Sequence, residues 1–344
     1  MENNNKDVLS FSKMNDEELL SLRFCDLHLK IAGTHLEEYI TRLYKELDNA
    51  GILFHPECYL ADEWLAPDDE PVIGVAFYLV HPRFIKLEQK MMLDVEGGSA
   101  TSCMMLLRHE AGHAINYAYK LYRKRNWKEL FGSFSTHYPD KYRYKPFSKC
   151  FVQHLEEWYA QYHPDEDFAE TFAVWLTPKI NWRERYKGWK ALKKLEYVDH
   201  LMKEIGSKEP IKKTGQKLWQ ISKSKMVLKN YYHRKRKFYA EEFPDFHDSN
   251  LKKIFSEKKD LEKGNAASFL RHHRKTVLDN VSLWTGEKKY TINKLLRDLI
   301  DRCRELDLRV SQPEIDSVIK ISSYITTLIM NYLYTGSFEK KRKK

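Results

Sequence analysis

The sequence predicts an α+β fold that is predominantly helical: a small mixed sheet beside a long central helix, followed by an all-α basic part. Two observations predict it. Strand-like and helix-like runs alternate before one long apolar helix, and helical periodicity alone continues through the rest. With 344 residues the chain is long enough for two units, the larger able to bury a sizeable core.

Taking the elements in order, residues 1–15 read as a disordered N-terminus, polar and without the basic-then-apolar pattern of a secretory signal. Leu27, Leu29 and Ile31 alternate with His28 and Lys30, a half-buried strand pattern. Thr34 and Glu37 have capping-box spacing, and Leu36, Tyr39, Ile40, Leu43 and Leu47 follow at helical intervals until Gly51. Ile52–Phe54 and Cys58–Leu60 read as short strands, and Val72–Val80 as the strongest strand, flanked by proline-containing turns. A helix is expected from Ser99 or Thr101 through Tyr122, and further helices over Val152–Tyr159 and Pro164–Leu176. The stretch 206–210 reads as a linker. Beyond it lie helical patterns at Lys217–Tyr239, Leu251–Leu261, Ala266–Val281 and Thr291–Leu308, and an apolar run, Val318–Tyr334, suited to a buried helix. The expected organisation is a disordered segment 1–15, a first domain 16–205, a basic helical domain 206–338 and a basic tail 339–344.

Composition narrows the function classes. Five cysteines lie far apart and never as CxxC, which argues against a disulfide framework or a cysteine zinc site and fits a reducing cytoplasm. The net charge of +10 is uneven: residues 201–344 hold 33 Lys and Arg against 18 Asp and Glu, whereas residues 1–200 hold 26 against 31. That asymmetry bears on partners rather than on fold.

The chemistry sits in Arg108-His109-Glu110-Ala111-Gly112-His113, an HExxH motif. Residues four apart on a helix share a face, with β-carbons about 5–6 Å apart, so two imidazoles can converge on one zinc ion. Glu110, one step round, is placed to take a proton from a metal-bound water. With 14 histidines and 49 acids in the chain, a chance match is expected under roughly one time in ten. Met104, Leu107, Ala111, Ala114 and Ile115 make the helix apolar nearly all round, and two histidines and a glutamate inside it would be costly without a cation.

A catalytic zinc generally takes three protein ligands, and the best source of the third is His163-Pro164-Asp165-Glu166-Asp167-Phe168-Ala169-Glu170. Pro164 with acids in the first turn is a strong helix start, and it places Glu166 and Glu170 on one face. Read alone, that acidic turn is more often a complement to the helix dipole. Asp167, about 100° from Glu166 on an ideal helix, and His163 are rival ligands. His137 and His154 read as ordinary surface or packing histidines.

HExxH followed by a second helix with this spacing of acids resembles the gluzincin metallopeptidases, among them thermolysin and anthrax lethal factor. LLRHEAGHAINYAY with WYAQYHPDEDFAETFAVWL is similar to the bacterial zinc-binding metallopeptidases, a resemblance spanning about residues 50–205. It implies a zincin-like fold, Glu166 as third ligand, and Glu170 as the carboxylate that orients a ligand histidine. Thermolysin has Asp in that supporting position, whereas this chain, like lethal factor, has Glu. The resemblance also implies Tyr159, seven residues before Glu166, as an oxyanion donor. Zincins hold extended peptide on the edge strand of their sheet, a role open to Val72–Val80 if that strand is not interior.

The expected function is therefore a cytoplasmic zinc metallopeptidase with one Zn²⁺ per chain, acting on a peptide or protein substrate and not spanning a membrane. The alternative is a non-catalytic zincin-like protein whose basic helices tether it to nucleic acid or to a protein partner. The basic runs at 233–237, 271–275 and 340–344 could meet phosphates, yet they are spread over several helices, so nucleic acid is not favoured.

Overall fold

The computed structural model describes residues 11–92, 95–139, 145, 148–239, 247–257 and 264–335, and these are mainly helical with one two-stranded parallel sheet. It divides into two compact units, Met1–Gln89 with Val95–Tyr231, and Lys90–Asp94 with Tyr232–Lys344.

Helix α1 (Asp16–Ser21) opens on a reciprocal cap between Asn15 and Glu18. The expectation of disorder over 1–15 is corrected for residues 11–15, because Phe11 is buried with its ring 5.1 Å from that of Phe84. The first ten residues lie outside the described ones. The alternating run at 27–31 is no strand. Phe24–Leu27 form a 3-10 turn, and His28 adopts a left-handed backbone that ends it. Helix α2 (His35–Asn49) matches its apolar spacing, and Gly51, at φ +78°, reverses the chain after it.

Strand β1 (Glu57–Ala61) pairs in parallel with β2 (Val72–Ala76). The strand expected over 72–80 ends early, since Phe77–Val80 turn into a 3-10 helix, and Ile52–Phe54 form no strand. Every residue of β2 is buried. Its far edge is met by Leu65, which exchanges both backbone hydrogen bonds with Gly74 (2.8 and 3.1 Å). A β-carbon at Gly74 would fall 2.4 Å from the Leu65 side chain, so glycine permits this close approach. On the other side Ala61 of β1 bridges to Gln220. The edge considered for substrate pairing is thus occupied at Gly74 by the chain itself.

Helix α3 (Pro82–Met92) precedes the central helix α4 (Ala100–Ala118), which is capped by Ser99 as expected and stops four residues short of Tyr122 when Lys120 turns left-handed. Buried Arg108 of α4 forms a two-bond ion pair with Glu46 of α2 (2.7 and 2.9 Å), tying the two helices together. Helix α5 (Arg125–Phe131) lays Trp127 and Phe131 against Phe168 of α6 (Pro164–Leu176). The helix expected over 152–159 is only a 3-10 turn at Glu156–Gln161. Short α7 (Trp182–Arg185) and α8 (Ala191–Ile205) complete the layer behind α6, where Val174, Trp182, Tyr186 and Leu195 share a core.

The expected boundary at 205/206 is also corrected. The segment after α8 folds back on the first unit: Lys212 N–H donates to Ala118, the Tyr59 hydroxyl to Leu218, and Leu228 N–H to Leu22. Helical structure in this stretch begins only at α9 (Leu228–Tyr239), apart from a short turn at Ile221–Lys223.

The second unit holds α10 (Asp248–Ile254), α11 (Ala266–His272), α12 (Arg274–Thr285), α13 (Lys289–Glu305) and α14 (Glu314–Thr335). They enclose one apolar core that includes Leu251, Leu270, Val281, Leu299 and Ile325. The run expected as one helix over 266–281 breaks at His273, and the segment 258–263 lies outside the described residues. So does the basic tail 339–344. Among the described residues no helix is long and apolar enough to cross a membrane.

Candidate metal centre

Two helices build the site, and a glycine lets them meet. Gly112 of α4 faces Ala169 of α6, where an added β-carbon would lie 2.8 Å from the Ala169 Cα. Backbone contact at that point brings the histidines of one helix to the first turn of the other.

His109 and His113 point from α4 to one spot, with their Nε2 atoms 3.1 Å apart. The Glu166 Oε2 lies 3.1 Å from the first and 3.2 Å from the second, and all three residues are buried. Each imidazole is held from behind by a carboxylate: His109 Nδ1 lies 2.8 Å from Glu170 Oε1, and His113 Nδ1 lies 2.8 Å from Asp165 Oδ2. Those partners call for protonated Nδ1 atoms, which turns the Nε2 lone pairs inward. Two nitrogen lone pairs and a carboxylate oxygen then face one another with no donor among them unless a proton or a cation enters.

The donor set and its spacing fit a metal ion. Ligand atoms about 2.0–2.1 Å from a tetrahedral zinc lie about 3.3 Å from each other, close to the separations seen here. Among the described residues, His109, His113 and Glu166 are the one group of three His, Cys, Asp or Glu that could hold a metal. The charges agree. Burial lowers the pKa of His109, but hydrogen bonds to Glu166 and Glu170 outweigh it and raise the value to about 10. Burial opposes charge on Glu166, yet the two imidazoles win and hold its pKa well below the usual carboxylate range. The buried carboxylates thus favour positive charge at this spot.

Glu110 is buried beside the triangle, and its carboxylate makes no hydrogen bond among the described residues. Burial is the main influence on it and raises its pKa. The ring of Tyr159 lies 5.6 Å from that of His109, and its hydroxyl is likewise without a hydrogen bond among the described residues.

The rival ligands are occupied elsewhere. Asp167 turns to Lys194 at 2.5 Å, and burial raises its pKa to about 7. His163 caps α6 by accepting from Asp165 N–H at 3.1 Å, while its Nε2 donates to the Thr136 carbonyl at 2.7 Å. His154 is half-buried, with its ring bonded to the Met105 carbonyl at 2.9 Å, and desolvation lowers its pKa. His137 is exposed.

Two participants escaped the sequence reading. Asp165, read only as a helix-dipole acid, accepts from His113, from Asn116 Nδ2 at 2.6 Å and from the Tyr117 hydroxyl at 2.5 Å. Its signal was present, because it lies one residue before Glu166 and Asn116 and Tyr117 directly follow the motif. Tyr138, whose hydroxyl donates to Glu166 Oε1 at 2.9 Å, carried no signal at all: it comes from an irregular segment with no periodicity.

No protein-family model matches the chain, and neither a curated protein nor a solved structure matches it.

Proposed function

We propose that the protein is a zinc-dependent metallopeptidase with a zincin-like first unit. The observation that carries this reading is the convergence of His109 Nε2, His113 Nε2 and Glu166 Oε2 beside a buried Glu110 carboxylate that makes no hydrogen bond among the described residues. His109, His113 and Glu166 would hold the ion. A zinc ion bound there supplies Lewis acidity, polarising a substrate carbonyl and making a bound water acidic at neutral pH.

The remaining roles belong to the chain. Glu110 accepts the proton of the attacking water and delivers it to the leaving amine. The Tyr159 hydroxyl donates to the oxygen that gains charge in the tetrahedral intermediate. Glu170 and Asp165 fix the tautomer and direction of the two imidazoles, which keeps the site arranged before substrate arrives. The substrate class is a peptide or protein, and the five cysteines, all free thiols, suit a reducing cytoplasm.

A purely structural metal site would have no use for a buried carboxylate one step round from its ligands, which sets the enzyme ahead of a non-catalytic binding protein. The test is metal analysis of purified protein paired with digestion of an unbiased peptide library. About one zinc per chain and cleavage abolished by Glu110→Gln support the proposal. Bound zinc with no cleavage of any peptide would return the protein to the binding class.

A further inference from the structure

The third ligand has two oxygens, and only one of them faces the histidines. Glu166 Oε2 completes the triangle, whereas Oε1 is turned to the Tyr138 hydroxyl at 2.9 Å. Tyr138 is itself held in place. Its ring stacks on that of His163 with centroids 4.0 Å apart and planes 13° from parallel. His163 in turn grips the Thr136 carbonyl, two residues before Tyr138, and caps the helix that carries Glu166. Helix cap, aromatic platform, phenol and ligand therefore form one continuous chain of contacts.

We infer that Tyr138 is a positioning residue for the metal: its hydroxyl holds Glu166 so that a single carboxylate oxygen is delivered to the ion. A carboxylate free at both oxygens can bind an ion through one or both. A hydrogen bond to Oε1 engages that oxygen and fixes the plane of the group, leaving a coordination position for water. This division also separates two tyrosines that the chemistry could confuse. The Tyr138 hydroxyl is spent on the ligand, whereas that of Tyr159 remains available to substrate. The inference rests on the metal-binding reading above and extends it to a residue that no motif contains.

The test uses the full chain. Tyr138→Phe removes one oxygen, keeps the ring on its platform, and alters a side chain that is 41% exposed, so folding is preserved. His163→Asn is the companion variant, since asparagine caps helices well but offers no ring to stack on. Zinc affinity is measured by competition with a chromophoric chelator. Coordination is read from the visible absorption of the cobalt(II)-loaded protein, which is more intense for four ligands than for five or six. Both variants are expected to bind zinc about 10-fold more weakly than the wild type, with a weaker cobalt band. If wild-type protein binds both ions and Tyr138→Phe matches it in affinity and spectrum, the positioning role is overturned while the metal site stands. If wild-type protein takes up neither ion, the metal-binding reading itself falls, and this inference with it.

Discussion

Gly112 and Ala169 are in backbone contact across the two helices that carry the metal-binding side chains, with 2.8 Å between the place of a glycine β-carbon and the Ala169 Cα. Glycine inside a helix ordinarily costs about 1 kcal/mol relative to alanine. Here the substitution should run the other way. Gly112→Ala must push α4 from α6, because the obstacle is main chain that cannot rotate aside. We expect a net destabilisation of about 1–3 kcal/mol, as for overpacked interiors, together with weaker zinc binding as Glu166 withdraws from the histidines. Thermal melting and zinc titration of the variant check both; a variant as stable as the wild type would show that the helices can part freely.

Glu110→Gln keeps shape and leaves every ligand in place. It should bind zinc as the wild type does and lose peptide hydrolysis by a factor of about 100 or more. Normal cleavage by this variant would assign the base to another residue.

Neighbouring acids on α6 should respond in opposite ways. Glu166→Ala is expected to lose most of its zinc. Asp167→Ala should retain zinc but lose about 3 kcal/mol of stability, since Lys194, 11% exposed and packed near the rings of Phe131 and Phe151, would be left without its partner. Zinc analysis and chemical denaturation of the pair distinguish the roles, and the reverse pattern would move the third ligand to Asp167.

Acid stability should depend on Asp69. Burial raises its pKa, but hydrogen bonds from Lys120 and Tyr122 outweigh that and lower it overall. A carboxyl whose folded pKa lies below its unfolded value stabilises the protein above the unfolded pKa, near 3.8, and loses that contribution as pH falls through the folded value. Asp69→Asn should therefore be less stable than the wild type at pH 6, with the difference shrinking below about pH 4. Urea denaturation across pH 3–6 measures this, and a constant difference would remove Asp69 from the acid response.

Both site helices could be read from residues alone, because apolar periodicity, the Ser99 cap and the Pro164 start are local signals that the structure keeps. Zinc ligation and hydrolysis are a different kind of claim, argued from residue chemistry. Local pattern failed where distant contacts decide. Leu27, Leu29 and Ile31 alternate as a strand would, but the chain around Phe24 pairs with residues 224–227, far along the sequence, and takes a 3-10 turn. The boundary expected near 206 fails for the same reason: Gly206 reads as punctuation, yet Lys212 and Leu228 return to the first unit through backbone hydrogen bonds and Leu218 accepts from the Tyr59 hydroxyl, contacts with no sequence pattern. Asp167 against Glu166 is a question of helix phase, and in the structure Asp167 turns to Lys194 on another helix.

The Leu65–Gly74 and Ala61–Gln220 bridges have a consequence for how this protein behaves in a crowded solution. A two-stranded parallel sheet has, on each flank, a row of backbone groups that another molecule could extend into an intermolecular ribbon. Here the chain's own backbone stands at both flanks, at Gly74 on one and Ala61 on the other. A passing copy would have to displace Leu65 or Gln220 before it could dock a strand. At those two positions the sheet is closed to recruitment in the folded state. The hazard returns only when those local contacts open, so self-association should follow partial unfolding rather than concentration alone.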